Sequence, residues 1–380
     1  MDFNFTEEQQ LLADTVRRFV REHYSFEARR VILDSPQGWS RDIWRQLAGF
    51  GLTALNVPEE HGGLGAGPVE TMLVMNVFGE ALLLEPYLAA AVMAPAFLTR
   101  AGDESAAAAL LPAIAEGERI VVLAHQEPST RGEINHVCTR AERNGNEYVL
   151  DGYKSVILHG GAADELLVSA RTSGQPGDPD GISVFRVDPH AEGVNRISYR
   201  TLDGQPAADI ELRRVRVPAS NRVGAESGSF MALEAAYDQA LSALCAEAVG
   251  IMKAVNAVTL EYTRNRKQFG QPIAKFQVLQ HRMADMFIHS EQATSMSYLA
   301  AIKCVEPDRR ERRRALSAAK VVIGQAGRFI GQQSVQLHGG MGVTDELIVS
   351  HYFKRLTAID LTFGDTDFHT QAFIHESVTA

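Results

Sequence analysis

The chain has 380 residues, 45% of them hydrophobic, enough to bury a large core and a length that suits two or three domains better than one. Its formal net charge of −10 argues against nucleic acid or an anionic membrane surface as partner, because both are held by clustered positive charge. The opening MDFNFTEEQQLL lacks secretory features, no apolar run reaches the roughly 18 residues that a membrane helix needs, and Cys138, Cys245 and Cys304 show neither CxxC nor zinc-ligand spacing. A cytoplasmic protein that is not inserted in a membrane, holds no metal and works on small molecules and other proteins is expected.

Residues 1–120 read as a helical domain. Thr6-Glu7-Glu8-Gln9 forms a capping box ahead of Leu12, Val16 and Phe19. Ser40 before Ile43, Trp44 and Leu47 repeats that logic, Gly49 and Gly51 stop the helix, and a long helix starts near Val69. Gly63-Leu64-Gly65-Ala66-Gly67-Pro68 fails the dinucleotide fingerprint and follows no strand, so it reads as a loop leading into that helix.

From 121 to 228 the pattern changes to short runs rich in Val, Ile, Leu and Tyr, namely EYVLDGYKSVIL, ELLVSA, GISVFRV and DIELRRVRV, which predict a β domain. Asn144-Gly145-Asn146 predicts a hairpin and GQPGDPDG an exposed loop. Residues 229–380 return to helical periodicity over about 229–265, 276–305, 310–337 and 345–358. In the first of these, Ala236, Ala240 and Ala248 alternate with Leu233 and Leu244 at helical spacing, small enough for a neighbouring helix to approach closely. The arginines from Arg309 to Arg314 read as a solvated helix start, and Asp365-Thr366-Asp367 as the cap of a final helix. His281, His338 and His369 have no metal-ligand spacing.

Two stretches carry chemistry. Arg264-Asn265-Arg266-Lys267-Gln268-Phe269-Gly270 ends one long helix, with Pro272 and Phe276-Gln277 opening the next. A guanidinium fork there suits a phosphate and an exposed aromatic suits a ring or sugar, although basic residues are also ordinary at a helix C-terminus. Gln336-Leu337-His338-Gly339-Gly340-Met341-Gly342 runs a helix end into glycines, which either let a ligand reach the backbone or simply terminate the helix in a left-handed conformation.

Together the two motifs resemble the acyl-CoA dehydrogenase family, in which an R-K-x-F-G corner precedes Q-x-x-G-G-x-G. The resemblance extends over the whole chain, through VPEEHGGLGAGPVE, NGNEYVLDGYKS and RKQFGQPIAKFQVLQHRMADM. LCAEAVG, GQQSVQLHGG and HYFKRLT look most similar to small subunits of heteromeric members such as pimeloyl-CoA dehydrogenase. It implies an α+β multidomain fold: an N-terminal helical domain, a β-barrel-like middle domain and a C-terminal four-helix bundle. It also implies FAD split between two chains, an acyl-CoA substrate, and an electron-transfer flavoprotein as electron acceptor. Carried over by position, Arg266, Gln268, Phe269, Gln277, Gln336, Leu337, Gly339 and Gly340 are the implied cofactor contacts.

The same resemblance exposes departures. Family chemistry takes the substrate α-proton with a glutamate and passes the β-hydrogen to flavin N5 as hydride. The usual Y-E-G-T segment reads Ile359-Asp360-Leu361-Thr362-Phe363-Gly364-Asp365-Thr366, and the alternative base position, counted back from Gly250, falls on Ala240 or Leu241. Asp365, Asp360 and Glu247 remain as weak candidates, with Asp367 beside them. The family W-I-T reads Val156-Ile157-Leu158, and T-E-P-G-A-G-S reads Gln126-Glu127-Pro128-Ser129-Thr130-Arg131-Gly132, so this chain's own isoalloxazine pocket is altered. The expectation is a small subunit of a heterotetrameric dehydrogenase whose large subunit supplies the base. A self-sufficient homo-oligomer with an aspartate base and a flavin-free scaffold are the rivals.

Overall fold

The structure, a computed structural model, describes residues 4–130 and 132–378, so Arg131 of the altered loop lies outside the described residues. In chain order come α1 (Glu7–His23), α2 (Phe26–Asp34), α3 (Arg41–Gly49) and α4 (Pro68–Ala81), a π-helical segment at Tyr87–Met93, then α5 (Ala94–Arg100) and α6 (Glu104–Ala115). The strands are β1 (Val121–Ala124), β2 (Arg140–Asn144), β3 (Glu147–Leu158), β4 (Glu165–Arg171), β5 (Ile182–Val187), β6 (Val194–Arg200), β7 (Pro206–Pro218) and β8 (Arg222–Val223). There follow α7 (Phe230–Asn265), the small hairpin β9 (Lys267–Gln268) and β10 (Gln271–Pro272), α8 (Gln277–Lys303), α9 (Arg309–His338), α10 (Ile348–Leu361) and α11 (Thr366–Val378). This is the α, then β, then α order that the periodicities predict.

Contacts regroup the chain into two compact units, one of residues 1–31, 68–83 and 241–380, the other of 32–67 and 84–240. In the first, α9 is the central helix, packed by α8, α10 and α11, while α4 rests on α1 and α8. The capping box forms as expected: Thr6 Oγ1 accepts the Gln9 N–H at 3.2 Å and Gln9 Oε1 accepts the Thr6 N–H at 3.0 Å. The helix buries Ala13, Val16 and Phe19.

The small residues of α7 serve close packing against α4. A Cβ on Gly250 would sit 1.8 Å from the Asn76 carbonyl oxygen, and one on Gly79 would sit 2.1 Å from that of Glu247. The two backbones therefore touch at a reciprocal pair of glycines. α7 also corrects the count of apolar runs. It contains an 18-residue window long and apolar enough to cross a membrane, but 67% of that window is buried in the protein, as in a core helix.

The second unit is built on an eight-stranded sheet in the order β6-β7-β3-β2-β4-β5-β8, with β1 pairing parallel to β4. Asn144 pairs with Glu147 across the two-residue turn Gly145-Asn146, Gly145 having a φ of 62°, so the predicted hairpin forms in the expected register. β3 carries bulges after Leu150 and after Lys154. The core of this unit contains an ion pair: Lys154 Nζ lies 2.7 Å from Glu127 Oε1, with both side chains almost wholly buried. Glu127 also accepts the Thr139 N–H and O–H and the Cys138 N–H. Burial raises the carboxyl, but the Lys154 charge and these bonds outweigh it and hold Glu127 at about 2. An ionised Glu127 thus fixes the Gln126–Thr130 loop to the start of β2.

Candidate functional site

α7 ends at Asn265 and turns sharply. The Arg266 N–H donates to the Tyr262 carbonyl at 2.8 Å, and the Arg266 carbonyl accepts the Ile273 N–H at 2.9 Å, which folds the β9–β10 hairpin onto the helix end. Gln268 pairs with Gln271 across a loop made by Phe269 and Gly270, whose φ values of 54° and 78° are the left-handed pair that a tight hairpin requires. Holding phenylalanine in that conformation costs on the order of 1 kcal/mol, and it leaves the ring 91% exposed. Arg266, Gln268 and Gln277 are likewise exposed.

α9 ends at the second motif. Gly339, with φ of 61°, terminates it and donates its N–H to the Gln336 carbonyl. Gln336, Gly339 and Gly340 are exposed, whereas the Leu337 side chain is buried in the core. A Cβ on Gly340 would meet no atom within 4 Å, so the packing of this chain does not require glycine there.

The two motifs meet. Tyr262, one turn before Arg266, stacks on His338, with ring centroids 4.3 Å apart and planes at 27°, and its hydroxyl donates to the His338 carbonyl at 3.4 Å. Burial lowers the His338 pKa and keeps the ring neutral, so the stacked pair adds no charge beside the exposed Arg264 and Arg266. A guanidinium, three glutamine amides and an open glycine backbone therefore lie about one end of the first unit. That donor set suits a dinucleotide diphosphate, and the exposed aromatic suits the face of a ring or sugar. Sequence spacing gave no hint of the Tyr262–His338 contact, since both residues read as ordinary helix positions.

In the second unit, the stretch replacing W-I-T is unusual. Val156, β-branched, has φ of 53° at the second β3 bulge, and its N–H donates to Asp209 Oδ1 at 2.9 Å. The same carboxylate accepts the Tyr199 hydroxyl at 2.7 Å and the Tyr153 hydroxyl at 2.5 Å. Burial, then the bond to Asp209, pushes the Tyr199 phenol up to about 12. Leu158 closes β3 with an apolar side chain that has no hydrogen to donate.

Glu247, Asp360 and Asp365 are each engaged in the protein. Glu247 forms a two-point ion pair with Arg355, Oε1 to Nε at 2.6 Å and Oε2 to Nη2 at 2.7 Å, both side chains buried. Asp360 accepts from Arg328 Nη2 at 2.8 Å and from Thr366 Oγ1 at 2.7 Å. Asp365 Oδ1 accepts the Phe368 N–H at 2.8 Å, the geometry of an N-cap on α11, and Asp367 stands in that helix's first turn. The turn bearing Asp360 and Asp365 is held from inside by buried Lys320, whose ammonium donates to the carbonyls of Asp360, Thr362 and Gly364 at 2.9, 3.0 and 2.6 Å.

The architecture, a helical part, then a β domain, then a helical bundle, is that of a flavin-dependent dehydrogenase. Family profiles agree along the chain: residues 6–118 match the acyl-CoA dehydrogenase N-terminal domain, 123–215 the middle domain and 228–377 the C-terminal domain. The chain belongs to the acyl-CoA dehydrogenases, FAD-dependent oxidoreductases that act on acyl-CoA. It is 29% identical to cyclohexane-1-carbonyl-CoA dehydrogenase of Geobacter metallireducens, over 94% of each chain. It is 26% identical to acryloyl-CoA reductase (NADH) of Anaerotignum propionicum, over 99% of this chain and 96% of that one. Among solved structures it is similar to the ChsE4-ChsE5 complex of Mycobacterium tuberculosis, with a TM-score of 0.88, 26% identity and full coverage of both chains.

Proposed function

We propose that this chain is the small subunit of a heterotetrameric acyl-CoA dehydrogenase and that its helical corner completes an FAD site seated largely on a large partner subunit. The observation that carries the reading is a contrast within one chain. The diphosphate-side residues are exposed and brought together by the Tyr262–His338 stack, while Glu247, Asp360 and Asp365 all serve structural contacts. The similarity to a chain of the two-protein ChsE4-ChsE5 complex supports the hetero-oligomeric arrangement.

In this reading Arg266 neutralises and orients the FAD diphosphate with its fork, Gln268, Gln277 and Gln336 bond polar edges of the nucleotide, and Phe269 covers a ring or sugar. Gly339 and Gly340 admit the nucleotide to backbone distance, and Leu337 contributes through its main chain. When bound, FAD supplies the two-electron acceptor for α,β-dehydrogenation of an acyl-CoA thioester. The large subunit supplies the base, electrons pass to an electron-transfer flavoprotein, and the complex works in the cytoplasm.

Co-purification with the candidate large subunit and measurement of FAD per heterodimer tests the proposal. One FAD per pair, with dehydrogenation absent from either chain alone, is the expected result. Two FAD per pair, or a yellow and active small subunit by itself, refutes it and favours the self-sufficient homo-oligomer. A complex whose stability ignores FAD favours the scaffold.

A further inference from the structure

The second unit contains a cavity of about 550 Å³ that shares no residue with the two helix-end motifs. One side is β6, an edge strand whose alternation sets Arg196, Ser198 and Arg200 on one face, paired with Ile210, Ala208 and Pro206 of β7. The facing walls are the Pro36–Arg41 segment and the Gly161–Asp164 turn, with His190 also in the lining.

Glycine is what lets the walls approach. A Cβ on Gly161 would lie 2.3 Å from Ser198 Oγ, and one on Gly38 would lie 3.2 Å from Arg200 Nε, at a φ of 71° that already disfavours a side chain. The recess is thus closely built around the polar face of an edge strand.

Its charge is opposite to that of the chain as a whole. Three guanidiniums, from Arg41, Arg196 and Arg200, line it with a single carboxylate, Asp164, in a protein of net charge −10. That carboxylate is already shared, since Oδ2 accepts the Ile120 N–H at 2.8 Å and Oδ1 lies 3.7 Å from Arg41, whose guanidinium also sits over Trp39.

Arg196 makes only long bonds of 3.3 to 3.5 Å to the carbonyls of Gly160, Gly161 and Ala163, all through Nη1. Arg200 donates to the Ser35 carbonyl through Nη2. These bonds fix the positions of both guanidiniums and leave the remaining N–H groups of each fork without a protein acceptor among the described residues. Arg41 and Arg196 are half-buried and Arg200 is exposed, so the cluster leaves positive charge and unused, oriented donors uncompensated, and a compact anion balances them.

We infer that this recess is a binding site for a small dianionic ligand, a phosphate ester or a dicarboxylate, held by the forks of Arg196 and Arg200 with Arg41 adding charge. The volume lies within the range of small-molecule sites.

The test is calorimetric titration of the FAD-loaded complex at low salt with inorganic phosphate, pyrophosphate and succinate. Saturable binding of at least one of them is expected, with affinity falling as salt rises. Arg196→Gln and Arg200→Gln should each weaken it at least about tenfold, the loss of one charge-assisted contact. Arg200→Lys should fall between, and Arg314→Ala, an exposed arginine outside the recess lining, should leave it unchanged. A phosphate response without succinate assigns a phosphate ester, and the reverse assigns a dicarboxylate. If the arginine variants fold poorly, Ser198→Asp at the exposed strand position places a negative charge in the recess and should abolish binding at unchanged thermal midpoint. Absence of saturable heat with all three anions overturns the inference. So does binding that survives Arg196→Gln, Arg200→Gln and Ser198→Asp.

Discussion

Replacing Glu247 by glutamine separates a structural acid from a catalytic one. Glu247 and Arg355 meet at 2.6 and 2.7 Å with side chains only 6% and 7% exposed, so the change keeps the shape while leaving a buried guanidinium without its counter-ion. Removing one member of such a pair costs about 3–5 kcal/mol. The amide oxygen can still accept one bond, which puts the expectation near the lower end, about 3 kcal/mol. For units of this size that corresponds to a thermal midpoint lower by roughly 6–12 °C. The double variant Glu247→Leu with Arg355→Met should recover part of the loss, because it removes both charges together. The assay is thermal unfolding of the FAD-loaded complex, paired with steady-state dehydrogenation at 25 °C well below the transition. The expected outcome is a clear fall in midpoint with kcat within about threefold of the parent, a barrier change under 1 kcal/mol. An unchanged midpoint with kcat reduced a hundredfold or more would make Glu247 the base and refute the assignment.

Arg266→Ala should weaken FAD retention by about 1.5–3 kcal/mol, roughly tenfold to more than a hundredfold, whereas Arg314→Ala, at an exposed position of α9, should not, as read by flavin absorbance after gel filtration. Gly340→Ala should fold normally, since its Cβ meets nothing in this chain, yet lose FAD affinity; equal flavin content with the parent would place the nucleotide elsewhere. Acid should destabilise the protein well before its carboxylates protonate. Burial, followed by Lys154 for His125 and Lys320 for His369, holds both imidazoles near 3, below the value of about 6.5 in the unfolded chain. Their contribution is therefore complete above pH 6.5 and lost as pH falls toward 3, on the order of 2 kcal/mol each at pH 5. Denaturant titrations at pH 7 and pH 5 measure it, and a flat stability over that interval would contradict neutral buried rings.

The features legible in the sequence were local ones. The capping box at Thr6, the hairpin at Gly145 and the four long C-terminal helices depend on neighbours a few positions apart, and they form as the pattern predicts. The partners of charged residues were not legible, because they are set by tertiary contact. Arg355 lies 108 positions from Glu247, and nothing in either local stretch ties them. Arg310 was expected in solvent, yet it donates to the carbonyls of Glu376 and Ser377 at the end of α11, since the terminal helix folds back along α9. The left-handed conformation of Val156 was equally hidden, because a β-branched residue gives no sign of tolerating it and only the bulge and Asp209 impose it.

The clasp around Lys320 has a mechanical consequence. One ammonium anchors three alternate carbonyls from the end of α10 into the bend before α11, so shifting that bend would strip a desolvated cation of its acceptors together. The bend can neither swing nor slide in small increments, and hydrogen exchange there should track opening of the entire helical unit instead of a local flicker. The stretch where the family resemblance implies an acid for proton abstraction is, in this chain, part of the rigid frame.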